Sequence, residues 1–171
     1  MSDGTWQASL TASLQSLKKP ERPLRMAVLG IGHELCGDDA VGVRLAGQLK
    51  TLAAGNADLL AVEAGPAPEN FTGTLRRFGP DLVLLVDAAL MDADPGSVRW
   101  LDWRGTDGMS ASTHTLPLHL LAAYLTDDLG CQVQLLGIQP AQTFADAPLT
   151  PKVREAAEQV ARELIQCLSI G

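Results

Sequence analysis

Residues 25–42 read RMAVLGIGHELCGDDAVG, and the way this stretch divides decides the fold. Arg25 to Ile31 is a short apolar run that breaks at Gly30 and Gly32, as a buried strand does at its end. From Ala40 to Leu52 the apolar residues Val41, Leu45, Leu49 and Leu52 recur at helical spacing. The adjacent carboxylates Asp38 and Asp39 therefore stand where a strand hands over to a helix. In open α/β sheets that crevice is where ligands bind.

Two nucleotide readings of this turn fail on residues. A dinucleotide fingerprint needs a third glycine where Leu35 stands, and its pyrophosphate would meet a helix that opens with two negative charges. The Gly32 to Gly37 spacing imitates a phosphate-cradling loop, but Asp38 and Asp39 occupy the places of the required Lys and Ser/Thr. The turn is built for a cation, not an anion. The structural alternative is that the pair caps the helix, since Asp suits N-cap and first-turn positions.

Outward from this turn the chain alternates strands and helices. Asp58 to Glu63 reads as a second strand, and AGPAPENF leads into a helix from Glu69 to Phe78. Asp81 to Asp87, DLVLLVD, reads as a central strand buried on both faces, with an acid at its end. After the turn Asp94-Pro95-Gly96, Ser97 to Trp103 alternates like an edge strand. A polar loop, RGTDGMSASTHT, precedes a helix from Leu116 to Leu129. CQVQLLGI forms the last strand, and QPAQTFADAPL crosses irregularly to a terminal helix. That helix opens with Thr150 and Pro151 and carries Val153, Ala157, Val160, Leu164 and Cys167 on one face. Such an order implies an α/β domain with helices on both faces of a mostly parallel sheet.

The chain has 171 residues, enough for one domain with a core of its own. The domain is expected to span 25–171, preceded by a 1–24 extension. There Trp6, Leu10 and Leu14 suggest one short amphipathic helix ended by Lys18, Lys19 and Pro20. A net charge of -7 argues against nucleic acid as a partner. The extension lacks the charged start and continuous apolar stretch of a secretory signal. No apolar run approaches the roughly 20 residues needed to cross a bilayer, so membrane insertion is not expected. Cys36, Cys131 and Cys167 are odd in number and form no CxxC pair, which fits a reducing cytoplasm. Cys36 lies in the key loop, yet nothing in the sequence identifies a base beside it, and small buried cysteines are common.

On a mostly parallel sheet, Asp39, Asp87 and Gln139 gather on the rim past the carboxyl ends of the strands. His114 stands just before a helix, whose positive end disfavours imidazolium and keeps a lone pair available. Two carboxylates and one imidazole make an incomplete metal site with positions open for water or substrate. Ligand softness admits Ni, Zn, Fe or Mn. His119, beside Leu116, Leu120 and Ala123, reads as structural.

In their order, GIGHELCGDDAVGVR (30–44), APEN (67–70), LLVDA (84–88), THTLPL (113–118) and LGIQP (135–140) resemble the hydrogenase maturation endopeptidases, above all the hydrogenase 3 type. The resemblance runs from Met26 to about Leu168. It implies a three-layer fold with a mixed five-stranded sheet. It also implies a peptidase that trims the C-terminal extension of a nickel-iron hydrogenase large-subunit precursor, with nickel supplied by that precursor and no nucleotide required. The family's nickel-recognition residues transfer to Asp39, Asp87 and His114, and His33, Asp38 and Gln139 become candidate substrate contacts. Two departures stand out: His33 replaces the usual Asn, and Glu63-Ala64-Gly65 replaces a second-strand motif that usually ends in Asp. The competing class is a metal-binding maturation adaptor or metallochaperone using the same three ligands.

Overall fold

The computed structural model describes residues 5–105 and 116–169. Its elements, in chain order, are α1 (Trp6–Leu17), β1 (Met26–Ile31), α2 (Val41–Leu52), β2 (Leu59–Gly65), α3 (Thr72–Phe78), β3 (Leu82–Ala88), β4 (Val98–Leu101), α4 (Leu118–Leu129), β5 (Gln132–Ile138) and α5 (Pro151–Ser169). One five-stranded sheet has the order β2-β1-β3-β5-β4. Four strands are parallel and β4 runs antiparallel along β5 at the edge, so the sheet is mixed and mostly parallel, as expected.

Strand pleating sorts the core into two layers. Met26 and Val28 of β1, with Leu82, Leu84 and Val86 of β3, pack against Val41, Leu45 and Leu49 of α2 and against Val153, Ala157, Val160 and Leu164 of α5. The alternate residues Ala27 and Leu29, with Val83 and Leu85, face Leu75 of α3 and Leu121, Ala122 and Leu125 of α4. Every residue of β3 is buried, which is why its sequence is a continuous apolar run instead of an alternation.

Several local expectations shift. The helix expected from Glu69 begins as a 3-10 turn, Pro68–Phe71, and becomes α3 only at Thr72. β4 stops at Leu101, and Trp103 leaves the strand alternation in a 3-10 turn, its Nε1 donating to the Val133 carbonyl at 3.0 Å. Leu52 ends α2 exposed and outside the stripe begun by Val41, Leu45 and Leu49. On α4 the buried face is Leu118, Leu121, Ala122 and Leu125, while Leu120 is exposed and His119 and Ala123 are half-buried. Apolar residues crowd both sides of this helix, so periodicity alone left its phase open.

The N-terminal extension is part of the packed structure. Trp6 and Leu10 of α1 join the core layer of α2 and α5, and Gln7 Nε2 donates to Glu163 Oε2 of α5 at 2.7 Å. The connection from α1 to β1 is fastened by Asp81, which is buried just before β3. Its carboxylate accepts from Arg22 Nη1 and Nη2 at 2.7 Å each, from Lys19 Nζ at 2.8 Å and from the Arg25 backbone N–H at 3.0 Å. Burial would raise the Asp81 pKa, but the bonds from Arg22, Arg25 and Lys19 outweigh it and hold the group below the usual carboxylate range.

A depressed folded-state pKa stabilises only where the unfolded chain would still be ionised. We therefore expect Asp81→Asn to cost about 1–2 kcal/mol near neutral pH, a modest figure because Arg22 and Lys19 are partly solvated. The gap between wild type and variant in urea midpoint should be full above about pH 5 and shrink as pH falls through the unfolded carboxyl pKa of about 3.9 and below.

Candidate active site

The handover from β1 to α2 is set by backbone proximity. A Cβ on Gly30 would strike the Gly42 carbonyl, and one on Gly42 would strike the Val86 carbonyl, so the first turn of α2 lies directly on β1 and β3. Gly32, with φ +130°, turns the chain out of the sheet at a point where a side chain would collide with the Asp39 backbone. The chain then returns through the 3-10 turn Gly37–Ala40, with Cys36 N–H donating to the His33 carbonyl and Asp39 N–H to the Cys36 carbonyl, both at 3.1 Å.

Asp39, 2% exposed, is thereby laid back over the end of β1, where its Oδ2 accepts the His33 N–H at 2.7 Å. Asp87, 1% exposed, is the penultimate residue of β3. Gly30 pairs with Val86, so Asp87 stands one residue beyond, alongside the last residue of β1. The chain leaves β1 for β2 on one side, whereas β3 continues the sheet on the other, which makes the gap between β1 and β3 the topological switch point. Two buried carboxylates flank that gap. Among the described residues no group of three or more His, Cys, Asp and Glu could hold a metal ion, and His114, the expected third ligand, lies outside the described residues. Asp39 and Asp87 fit a hard cation as carboxylate donors.

Asp38 does something else. It is fully buried, and its carboxylate accepts from Ala141 N–H (2.8 Å), Gln142 N–H (3.2 Å) and Thr150 N–H (2.7 Å), with the Thr150 hydroxyl 2.9 and 3.0 Å from its two oxygens. This carboxylate is consumed by the chain's own 141–150 loop, so the expectation of a substrate contact at Asp38 gives way to a tie holding that loop against the 3-10 turn. Nor does it cap α2, whose N-cap is Ala40, without a side-chain bond. Backbone bonds from Gly37 to Ala147 (3.1 Å) and from Asp38 to Gln142 (2.8 Å) complete the tie. Asp38→Ala would leave buried donors unsatisfied and should cost about 2–4 kcal/mol, read as a lowered urea midpoint with increased hydrogen exchange at Ala141, Gln142 and Thr150.

Gln139 is likewise a brace. Its Oε1 accepts from Met91 N–H at 2.7 Å and its Nε2 donates to the Pro140 carbonyl at 3.2 Å, joining the segments that follow β3 and β5. His33 is exposed beside Asp39, and its Nδ1 accepts from Leu35 N–H at 3.3 Å, so among these three candidate contacts it is the one presented to solvent. Cys36 is half-buried, bridged through its backbone to Ala147. Sequence reading missed the Asp38 tie and the Asp81 latch; the only available signal was the oddity of acids flanking apolar strands.

Cavities of about 540 and 550 Å³ occur elsewhere, one around Leu14, Leu24 and Leu168 and one around Trp6 and Trp100, and neither is lined by Asp39 or Asp87.

A profile of the HycI family, described as hydrogenase maturation protease, matches residues 43–167. The chain belongs to the hydrogenase maturation protease family. It is 35% identical over 138 residues to the hydrogenase 3 maturation protease of Escherichia coli K12, covering 80% of this chain and 86% of that one. The crystal structure of the NiFe hydrogenase maturation protease HycI from Thermococcus kodakarensis superposes with a TM-score of 0.82 at 32% identity, over 94% of this chain and 99% of that one. The E. coli endopeptidase HybD shares the fold, with a TM-score of 0.69 at 24% identity over 85% and 93% of the two chains. As a hydrogenase maturation protease the chain is a peptidase, and the rim at the β1/β3 switch point is its candidate active site.

Proposed function

We propose that this protease removes the C-terminal extension of a nickel-iron hydrogenase large-subunit precursor once nickel has been inserted. The supporting observation is the pair of buried acids at the switch point, Asp39 in the 3-10 turn laid over the end of β1 and Asp87 at the end of β3. Nickel is here part of the substrate. Asp39 and Asp87, with His114 as third donor, recognise it and thereby fix the adjoining peptide bond over the rim. Asp38 and Gln139 hold the two loops that border this position, through the bonds to 141–150 and to Met91. No side chain is assigned as nucleophile.

The free thiols support a reducing, cytoplasmic setting. Burial pushes the Cys131 thiol up to about 11, which keeps it protonated and unreactive. No helix among the described residues is long and apolar enough to cross a membrane.

The test is incubation of the protein with nickel-loaded precursor, followed by intact-mass analysis. The expected products are a shortened large subunit and one released C-terminal peptide. Transfer of nickel with the precursor left at full length would replace the protease reading with a metallochaperone.

A further inference from the structure

The sheet register sets Asp87 and Arg99 in one row. Asp87 of β3 pairs with Gly137 of β5, and Gly137 pairs with Arg99 of the antiparallel edge strand β4. Paired residues on adjacent strands send their side chains to the same face, so Arg99 stands on the face of Asp87, roughly 10 Å away across the sheet. Gly137 adds no side chain to the row, and the space a Cβ would take there is filled by Ala89, Met91 and Leu101.

The Arg99 guanidinium reaches back from the edge toward β3. Its Nη1 donates to the Met91 carbonyl at 3.0 Å, on the segment that leaves β3 four residues past Asp87. That segment is itself held, because Met91 N–H donates to Gln139 Oε1 at 2.7 Å and Ala89 N–H to the Ile138 carbonyl at 3.0 Å. The arginine head is thereby tied to the rim past the carboxyl ends of the parallel strands.

Its charge has no counterpart in the chain. None of the ion pairs among the described residues includes Arg99, although Asp92 and Asp94 lie nearby in the sequence. The residue is exposed, and the bond to Met91 leaves most of its N–H donors unused. In a protein of net charge -7, a tethered cation without an acid of its own, in the row of a buried carboxylate, is the complement of an anion brought by the substrate. The substrate of a protease is a polypeptide, and the anions of a polypeptide are carboxylates.

On the reading that this protein cuts a hydrogenase precursor, we propose that Arg99 is a substrate-binding residue whose guanidinium receives a carboxylate of the precursor's C-terminal extension. That carboxylate is an acidic side chain or the chain terminus, and the planar fork of arginine suits either.

Cleavage of nickel-loaded precursor is to be followed for wild type, Arg99→Lys and Arg99→Gln at low and high salt. The precursors are the native one, one with the Asp and Glu of its extension changed to Asn and Gln, and one whose terminus is carried away by an added Gly-Ser tail. The contact requires Arg99→Gln to raise KM about fivefold on native precursor, with kcat and the melting temperature unchanged, and to lose the rise of KM with salt shown by wild type. Arg99→Lys keeps the charge without the fork and should fall between them. One altered precursor should raise KM for wild type but not for Arg99→Gln, and the one that does so names the source of the carboxylate. A side chain that merely braces Met91 cannot produce that coupling. Unchanged KM in Arg99→Gln overturns the proposal, as do altered precursors that shift both proteins equally or a loss confined to kcat or the melting temperature. Wild-type protein that leaves nickel-loaded precursor at full length overturns the proposed function, and this contact with it.

Discussion

Asp39→Asn and Asp87→Asn are each expected to abolish precursor cleavage while leaving the fold in place. Asparagine keeps the volume of aspartate, and at position 39 it keeps an oxygen able to accept the His33 N–H that Asp39 Oδ2 now accepts at 2.7 Å. It removes the negative charge through which the proposed site would attract a cation. The proposed three-donor site would have no spare donor, so the loss should be at least about a hundredfold, the scale on which single electrostatic groups count in a pre-organised site. His114→Ala should behave in the same way. Cleavage rates measured beside far-ultraviolet circular dichroism separate this outcome from unfolding. Near-wild-type cleavage by any one of the three variants would remove that residue from the recognition set.

The second large effect concerns the metal. Two carboxylates and an imidazole without thiolates form a hard, incomplete donor set, which should hold nickel loosely in the free protein. We expect the isolated protein to purify with far less than one metal per chain, measured by plasma emission. Precursor that lacks nickel should remain full length, and loading it should switch cleavage on. A chelator added after loading should have little effect if the ion is enclosed between the two proteins. Rapid cleavage of metal-free precursor by a protein carrying its own stoichiometric zinc would make this an ordinary metalloprotease and end the nickel-recognition reading.

Much of the fold could be read from residues because the decisive patterns are local. LVLLV between Asp81 and Asp87 cannot be an exposed strand, and it is the fully buried centre of the sheet. Of the α5 stripe Val153, Ala157, Val160, Leu164 and Cys167, the first four are buried and Cys167, near the helix end, is half-buried. The α4 stripe was ambiguous because LPLHLLAAYL is apolar around most of its circumference, and the sheet it leans on, not the helix itself, chooses the buried side.

The acids divide along the same line. Asp39 and Asp87 were legible because their position relative to a strand end depends on adjacent residues. The partners of Asp38 lie 103 to 112 residues away, and nothing near it in sequence announces them. Gln139 reaches 48 residues back to Met91 in the same way. A carboxylate spent on holding a distant loop carries no mark of it in the sequence; only the fold identifies Asp38 as one.

The contact between Gly30 and Gly42 carries a consequence for anyone wishing to move this site. With no Cβ on either residue, helix and strand touch main chain to main chain, leaving no side-chain cushion that could absorb a shift. The acid turn is therefore a cassette rather than a pair of acids. Transplanting Asp38 and Asp39 into another α/β scaffold without Gly30, Gly32 and Gly42 would lift the helix off the strand, whereas moving residues 30–42 as one block keeps that contact and needs the 141–150 loop moved with it to satisfy Asp38.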